Sequence, residues 1–282
     1  MVKIISDSTC DLSKELIERY NIEILPLHIL LGEEEYLDGV NITPDEIYAW
    51  SDANKTTPKT SAVGMEEAEE LFRKYLDQGM ELVVFSISED MSTTANVMRL
   101  AAEELAAAER VHVVNSANLS TGIGHLVIEA AVLAESGVDA KTIVRHIEIK
   151  KDKVRASFVV DTLVYLYRGG RCGGLTALAG GALKLHPRID VIDGKMTPGK
   201  KYRGKMDHVV MAYVREMEEK LKHAGKSRVF VTHSGCDRAT VEQVKEYLKS
   251  LHHFDEILET RAGGVISSHC GPGTLGVLYM EE

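Results

Sequence analysis

Apolar and polar positions along the first half of the chain follow a strand–turn–helix rhythm. Residues 3–6 are a short apolar run ending in the polar cluster Asp7-Ser8-Thr9, and the pattern predicts a helix over 12–20. Residues 23–31, rich in Ile and Leu, read as a second strand. Thr43-Pro44-Asp45-Glu46 is a helix start, with Thr43 as N-cap, Pro44 at the first helical position and Glu46 closing the capping box. Residues 65–76 are amphipathic, 82–87 are β-branched and apolar, and a helix is predicted over 93–108. A fourth strand over 111–114 leads through a polar turn at 115–121 into a helix reaching Ser136. This repeat predicts a parallel sheet with helices on both faces.

The rhythm changes after a charged helix predicted over 140–153. A second domain is expected to begin near Val154, which divides the chain into 1–153 and 154–282. An apolar run at 156–160 precedes the Gly-rich stretch Tyr167-Arg168-Gly169-Gly170-Arg171-Cys172-Gly173-Gly174. Residues 188–192, the Asp193-Gly194 turn and 195–197 read as a β-hairpin. A helix over 207–222 carries Val210, Val214, Met217 and Leu221 on one stripe. Strands at 229–232 and 256–259 flank a helix over 239–251, and the tail at 263–280 has two apolar runs around His269-Cys270-Gly271-Pro272-Gly273.

Composition enters mainly by what it excludes. With 282 residues, 44% hydrophobic and 27% charged, each half can bury its own core without disulfides or a structural metal. A formal net charge of −10 argues against a nucleic-acid partner and against an anionic membrane surface. It leaves a small anionic ligand open, because exposed charges farther than a Debye length of ~8 Å are screened and a few local cations decide. The N-terminus lacks the basic and apolar regions of a secretory signal, and no stretch approaches the ~20 apolar residues of a membrane span. The cytoplasm is the expected location. Cys10, Cys172, Cys236 and Cys270 are scattered without a C-x-x-C pair and are expected to be reduced thiols.

In open parallel sheets, ligands sit beyond the carboxyl ends of the strands. Three such ends carry hydroxyls here: Ser6/Ser8/Thr9, Ser88/Ser92/Thr93 and Ser116/Ser120/Thr121. Taken singly, each is first explained as a helix N-cap. Thr60-Ser61, after Pro58-Lys59, read as a cap or loop. Arg171 lies between two Gly-Gly pairs, where backbone can approach a ligand, and its guanidinium suits a carboxylate or phosphate. It reads equally as an ordinary loop arginine. His269 precedes a rigid Gly-Pro-Gly turn that could aim its imidazole. The signatures G-x-x-x-x-G-K-[ST], H-E-x-x-H and G-x-S-x-G are absent from the sequence. Gly271 to Gly276 matches a dinucleotide fingerprint in letters only, because it precedes a strand rather than a helix. The histidines show no metal-ligand spacing, so neither metal nor cofactor is expected.

Together these pieces resemble the DegV family, whose characterised members are fatty-acid-binding proteins. The resemblance runs nearly end to end. It is carried by Ser6-Asp7-Ser8 with Asp11-Leu12, Lys59-Thr60-Ser61, Met91-Ser92-Thr93-Thr94, Leu163 with Arg168-Gly169-Gly170-Arg171, Arg203, Gly263-Gly264-Val265-Ile266 and His269-Cys270-Gly271-Pro272-Gly273-Thr274. The expected fold is α/β: an N-terminal parallel-sheet α/β/α domain and a C-terminal α/β domain with a mixed, largely antiparallel sheet. The resemblance implies an apolar tunnel between them for the acyl chain. It further implies that the carboxylate is held by Thr60, Ser61, Ser92, Arg171 and His269. The expected role is non-catalytic: one long-chain fatty acid is bound and presented to a bacterial fatty acid kinase subunit, which makes the acyl-phosphate for phospholipid synthesis. Any membrane contact would be transient. The sequence departs from the usual pattern at Ala62-Val63-Gly64, at Thr93 and Ala95, and at His186-Pro187-Arg188, which bears on chain-length preference and on service to a kinase. Two other readings stand beside it: a hydrolase or acyltransferase with Ser92 or Ser8 as nucleophile, His269 as base and Asp7 as orienting group, and a nucleotide- or phosphate-binding module using the Gly-rich loops and Arg171.

Overall fold

The computed structural model of the chain describes residues 1–171 and 185–282. Its first half runs through β1 (Val2–Asp7), α1 (Lys14–Arg19), β2 (Glu23–Leu25), β3 (His28–Leu31), β4 (Glu34–Leu37), α2 (Pro44–Asn54), β5 (Lys59–Ser61), α3 (Met65–Leu76), β6 (Glu81–Ser86), α4 (Thr94–Glu104), β7 (Val111–Asn115), α5 (Thr121–Glu135) and α6 (Ala140–Lys150). The predicted rhythm becomes an all-parallel sheet in the order β2-β1-β6-β7. The capping box that opens α2 is present, with Glu46 accepting from the Thr43 N–H at 2.8 Å.

The strand expected over 23–31 is two strands in two sheets. Pro26 offers no N–H to a ladder, and the chain leaves the parallel sheet after Leu25. β3 then pairs antiparallel with β4 and β5 in a separate three-stranded sheet. Thr60-Ser61, expected as a cap or loop, therefore lie in a strand whose register is set by Thr60 opposite Ile29 and Ser61 opposite His28.

The second half contains β8 (Val154–Val159), α7 (Val164–Arg168), β9 (Leu185–Ile192), β10 (Lys195–Arg203), α8 (Met206–Glu216), α9 (Glu218–Leu221), β11 (Ala224–His233), α10 (Arg238–Ser250), β12 (Glu256–Arg261), α11 (Gly264–Cys270) and β13 (Leu275–Glu281). Its sheet has the order β10-β9-β8-β13-β11-β12 and is antiparallel except for the β11–β12 pair. The mixed, largely antiparallel sheet expected for this half is thus present. Asp193 and Gly194 take φ of 49° and 77°, the two positive angles that a two-residue hairpin turn of matching twist requires. The helix predicted over 207–222 is interrupted at Met217 into α8 and α9. Cys172, Gly173 and Gly174 of the Gly-rich stretch lie outside the described residues.

The layers follow from which faces are apolar. α5 is apolar on nearly all sides, with Ile123, Leu126, Val127 and Ile128 all at 0% exposure. A helix of that kind needs covering all round. It is sandwiched between one face of the parallel sheet (Ile4, Val83, Phe85) and one face of the six-stranded sheet (Ala156, Phe158, Leu278). α3 and α4 cover the other face of the parallel sheet, and α8 and α10 the outer face of the second sheet. A buried tyrosine links two of these layers. Tyr213 donates to the Ser157 carbonyl at 2.8 Å and accepts the Val277 N–H at 3.0 Å, which ties α8 to β8 and β13. Tyr213→Phe strands that buried N–H and is expected to cost about 1–3 kcal/mol, read as a lower urea midpoint at unchanged slope.

Candidate functional site

The site is assembled from parts far apart in sequence. β5 brings Thr60 and Ser61, the turn between β6 and α4 brings Ser92, the segment after α7 brings Arg171, and α11 brings His269. All five line one narrow cavity that opens to the surface. The rest of its wall is hydrocarbon or thiol: Leu27, Ile87, Met91, Leu119, Leu166, Met196, Val265, Ile266 and Cys270. A second, small cavity shares Leu119, Ile266 and Cys270 with the first and continues along Phe158, Ala262 and Leu278 against the six-stranded sheet. Burial pushes the Cys270 thiol up to about 12, so it is a neutral apolar part of this wall.

Hydrogen bonding orients the polar residues. Thr60 Oγ1 and His269 Nε2 lie 2.8 Å apart. His269 Nδ1 is buried with no hydrogen-bond partner among the described residues. A proton on Nδ1 would be left unpaired, so the neutral ring carries its proton on Nε2 and donates to Thr60. Thr60 then keeps its own hydroxyl proton for an acceptor in the cavity. Burial first, and the nearby Arg171 charge second, lower the His269 pKa to about 4. The Gly169 backbone runs against the ring, and a Cβ there would overlap Nδ1.

Arg171 Nη1 donates to the Gly169 carbonyl at 2.8 Å, which folds the guanidinium back over the loop that carries it. Ser92 Oγ lies 2.8 Å from Thr94 Oγ1 and accepts the Thr94 N–H at 3.3 Å, so it closes the turn into α4 while standing on the cavity wall.

The other hydroxyls at the strand ends do different work. Ser8 donates to Asp38 at 2.8 Å, Ser88 to the Gly194 carbonyl at 2.7 Å and Ser116 to the Asn118 carbonyl at 3.2 Å. Ser120 and Thr93 occupy N-cap positions but make no side-chain cap bond, so the cap reading fails for both. Ser120 donates instead to Asp11, at 2.5 Å. Burial raises Asp7 to about 6, and its carboxyl holds Thr9 and the Ile87 N–H. With His269 on Thr60, Ser92 on Thr94 and Ser8 on Asp38, no serine–histidine–aspartate chain is assembled from these residues. Among the described residues, no cluster of three or more His, Cys, Asp or Glu is arranged to hold a metal, and no helix is long and apolar enough to cross a membrane.

Several wall residues were missed by the sequence reading. Met196 reaches the cavity from β10, and Leu119 from the turn before α5. Leu119 reads as part of a polar turn and Met196 as part of a hairpin strand, and neither local pattern says that the residue borders a cavity.

The architecture is an α/β protein with a parallel four-stranded sheet, a mixed six-stranded sheet and a small three-stranded sheet whose β5 forms part of the cavity wall. The chain belongs to the DegV family: the model described as "Uncharacterised protein, DegV family" matches residues 1–282. A DegV domain-containing protein of Clostridium perfringens is 33% identical over 281 residues, covering 100% of this chain and 99% of the relative. Among solved structures, a fatty-acid-binding DegV family protein from Thermus thermophilus superposes with a TM-score of 0.90 at 29% identity, covering 100% of this chain and 99% of that one. A stearic acid-binding protein from Eubacterium ventriosum gives 0.86 at 29% identity, covering 100% and 98%.

The lowered His269 pKa has a definite sign. The unfolded ring titrates near 6.5 and the folded ring at about 4. Between these values the unfolded chain binds the extra proton, so the stability contribution is present above pH 6.5 and is lost as pH falls toward 4. The His269 ring signals in proton NMR are therefore expected to stay at their neutral positions down to pH 5, and His269→Gln is expected to flatten part of the stability loss between pH 6.5 and 4. Gly169→Ala is expected to displace the ring and perturb the same signals at neutral pH.

Proposed function

We propose that the chain binds one long-chain fatty acid, with its carboxylate on Thr60, Ser61, Ser92, Arg171 and His269 and its acyl chain along the apolar walls between the two sheets. The observation that carries this reading is the division of one cavity into a compact polar set and a hydrocarbon remainder. About fifteen methylenes at ~0.8 kcal/mol each give on the order of 12 kcal/mol of gross driving force. Association and ordering consume much of it. A buried carboxylate costs several kcal/mol unless paired and hydrogen-bonded. One guanidinium, one neutral imidazole that donates through Thr60, and the serine hydroxyls offset that cost. The fatty-acid-binding relatives from Thermus thermophilus and Eubacterium ventriosum support the same ligand class.

The bound head group would face outward. Met91, Arg171 and Met196 border both the inner cavity and a surface groove that adds Asp90, Gly170, Lys195 and Thr197. That arrangement supports presentation of the carboxylate to a separate kinase subunit for acyl-phosphate formation, with no chemistry by this chain itself. The pairing of His269 with Thr60 rather than with a serine favours the carrier over the hydrolase. We also read the chain as two domains, 1–153 and 154–282, since the parallel sheet uses strands only up to Asn115 and the six-stranded sheet only from Val154.

Mass spectrometry of an organic extract of the purified protein tests the reading. One fatty acid per chain is expected, and its amount is expected to fall in Arg171→Ala and in the Thr60→Ala/Ser92→Ala double variant. A nucleotide released on denaturation, or folded protein with no lipid and no uptake of added palmitate, would overturn it.

A further inference from the structure

Two carboxylates behind the cavity are used by neither the ligand set nor any ion pair. Asp11 and Asp38 are 5% and 2% exposed, and among the described residues neither makes a salt bridge. Each has both oxygens engaged by hydrogen-bond donors. Asp38 Oδ1 accepts the Gly264 N–H at 2.6 Å and Oδ2 the Ser8 hydroxyl at 2.8 Å. Asp11 Oδ1 accepts the Gly263 N–H at 2.8 Å and Oδ2 the Ser120 hydroxyl at 2.5 Å. Gly263 and Gly264 open α11, whose far end carries His269.

We infer that Asp11 and Asp38 are positioning residues for the ligand site, clamping the start of α11 so that His269 meets Thr60 at its other end. Substitution at Gly264 has no room: a Cβ there would lie 2.6 Å from Ile29 Cδ1 and 2.9 Å from Asp38 Oδ1. The clamp reaches other walls of the cavity as well. Ser8 Oγ, which donates to Asp38, also accepts the Leu27 N–H at 3.1 Å, and the Asp38 N–H donates to the Leu27 carbonyl at 2.9 Å. Leu27 lines the cavity, and so does Leu119, the neighbour of Ser120. Ser120 itself is held at φ 52° and ψ −144°, a region that a side chain rarely tolerates and that persists where surroundings enforce it. Three segments of the wall (Leu27, Leu119 and α11) thus take their relative positions from two carboxylates. A carboxylate suits this because it only accepts, and all its partners here donate. An Asn of the same size would turn an NH₂ toward one of those donors.

The inference rests on the fatty-acid reading for its ligand, but its first readout does not. In ligand-free protein, Asp11→Asn and Asp38→Asn are expected to shift the His269 ring signals in NMR, assigned by their loss in His269→Gln. They are also expected to weaken palmitate binding in titration calorimetry by about tenfold, the equivalent of one ordinary hydrogen bond. Asp7→Asn is the control, because Asp7 holds Thr9 and Ile87 but not α11. It is expected to lower the melting temperature and leave the His269 signals in place. If the carboxylate variants do not fold, Ser120→Gly removes one donor from Asp11 at a backbone geometry glycine accepts, and it is expected to shift the same signals. Unmoved His269 signals in the folded variants, or an equal shift in Asp7→Asn, would overturn the positioning role. A wild-type chain that ignores palmitate would sink the ligand reading alone, while the ring signals still decide the clamp.

Discussion

A helix that starts inside a protein leaves N–H groups with no partner in the helix and no water to replace it. α11 begins in this way, and Asp11 and Asp38 supply the acceptors. Much else depends on that arrangement. Asp11 and Asp38 belong to the first half of the chain and α11 to the second, so the hydrogen bonds at the start of α11 also join the halves. The small residues at Gly263 and Gly264 let the helix come close enough to be held. Burial raises both carboxyls, and four short hydrogen bonds work against that shift. The result is a rigid platform from which His269 reaches Thr60.

The cavity exists because α11, α7, β5, β10 and the turns before α4 and α5 meet there without filling every gap. The first ten residues of α5 are almost wholly buried between the two sheets, which makes the interface between the halves a core rather than a wet seam. Where the core meets the mouth, hydroxyls, an imidazole and a guanidinium replace hydrocarbon. Most of this polar set is uncharged. A neutral imidazole held on Thr60 can stabilise an anion by hydrogen bonding without the strong attraction of a second fixed cation.

Local signals in the sequence survived folding well. The capping box at Thr43 and Glu46 and the Asp193-Gly194 hairpin turn are short-range devices, and both are present as expected. The strand–turn–helix rhythm specified the parallel sheet, because buried parallel strands need continuous apolar runs between helices. Errors came where tertiary pairing chose between local options. Residues 23–31 carry strand propensity throughout, yet they divide at Pro26 between two sheets. Thr60 and Ser61 sit in a polar stretch that favours a loop, yet β3 recruits them as a strand.

The five candidate site residues could be named from motifs and family resemblance, and they do line one cavity. What the motifs could not supply was how they meet. The Thr60–His269 hydrogen bond joins residues 209 positions apart, and its direction follows from a buried Nδ1 with no partner among the described residues. The Ser-Asp-Ser motif with Asp11 stood out in the sequence, but its work on α11 could not be read there. Sequence by itself determined which residues are chemically able to hold an anion and which segments must be buried, because those are properties of side chains and of periodicity. Tertiary structure alone decided which hydroxyl faces the imidazole, which carboxylate holds which helix end and which apolar residues border a cavity, because each is a long-range contact that local preference does not encode.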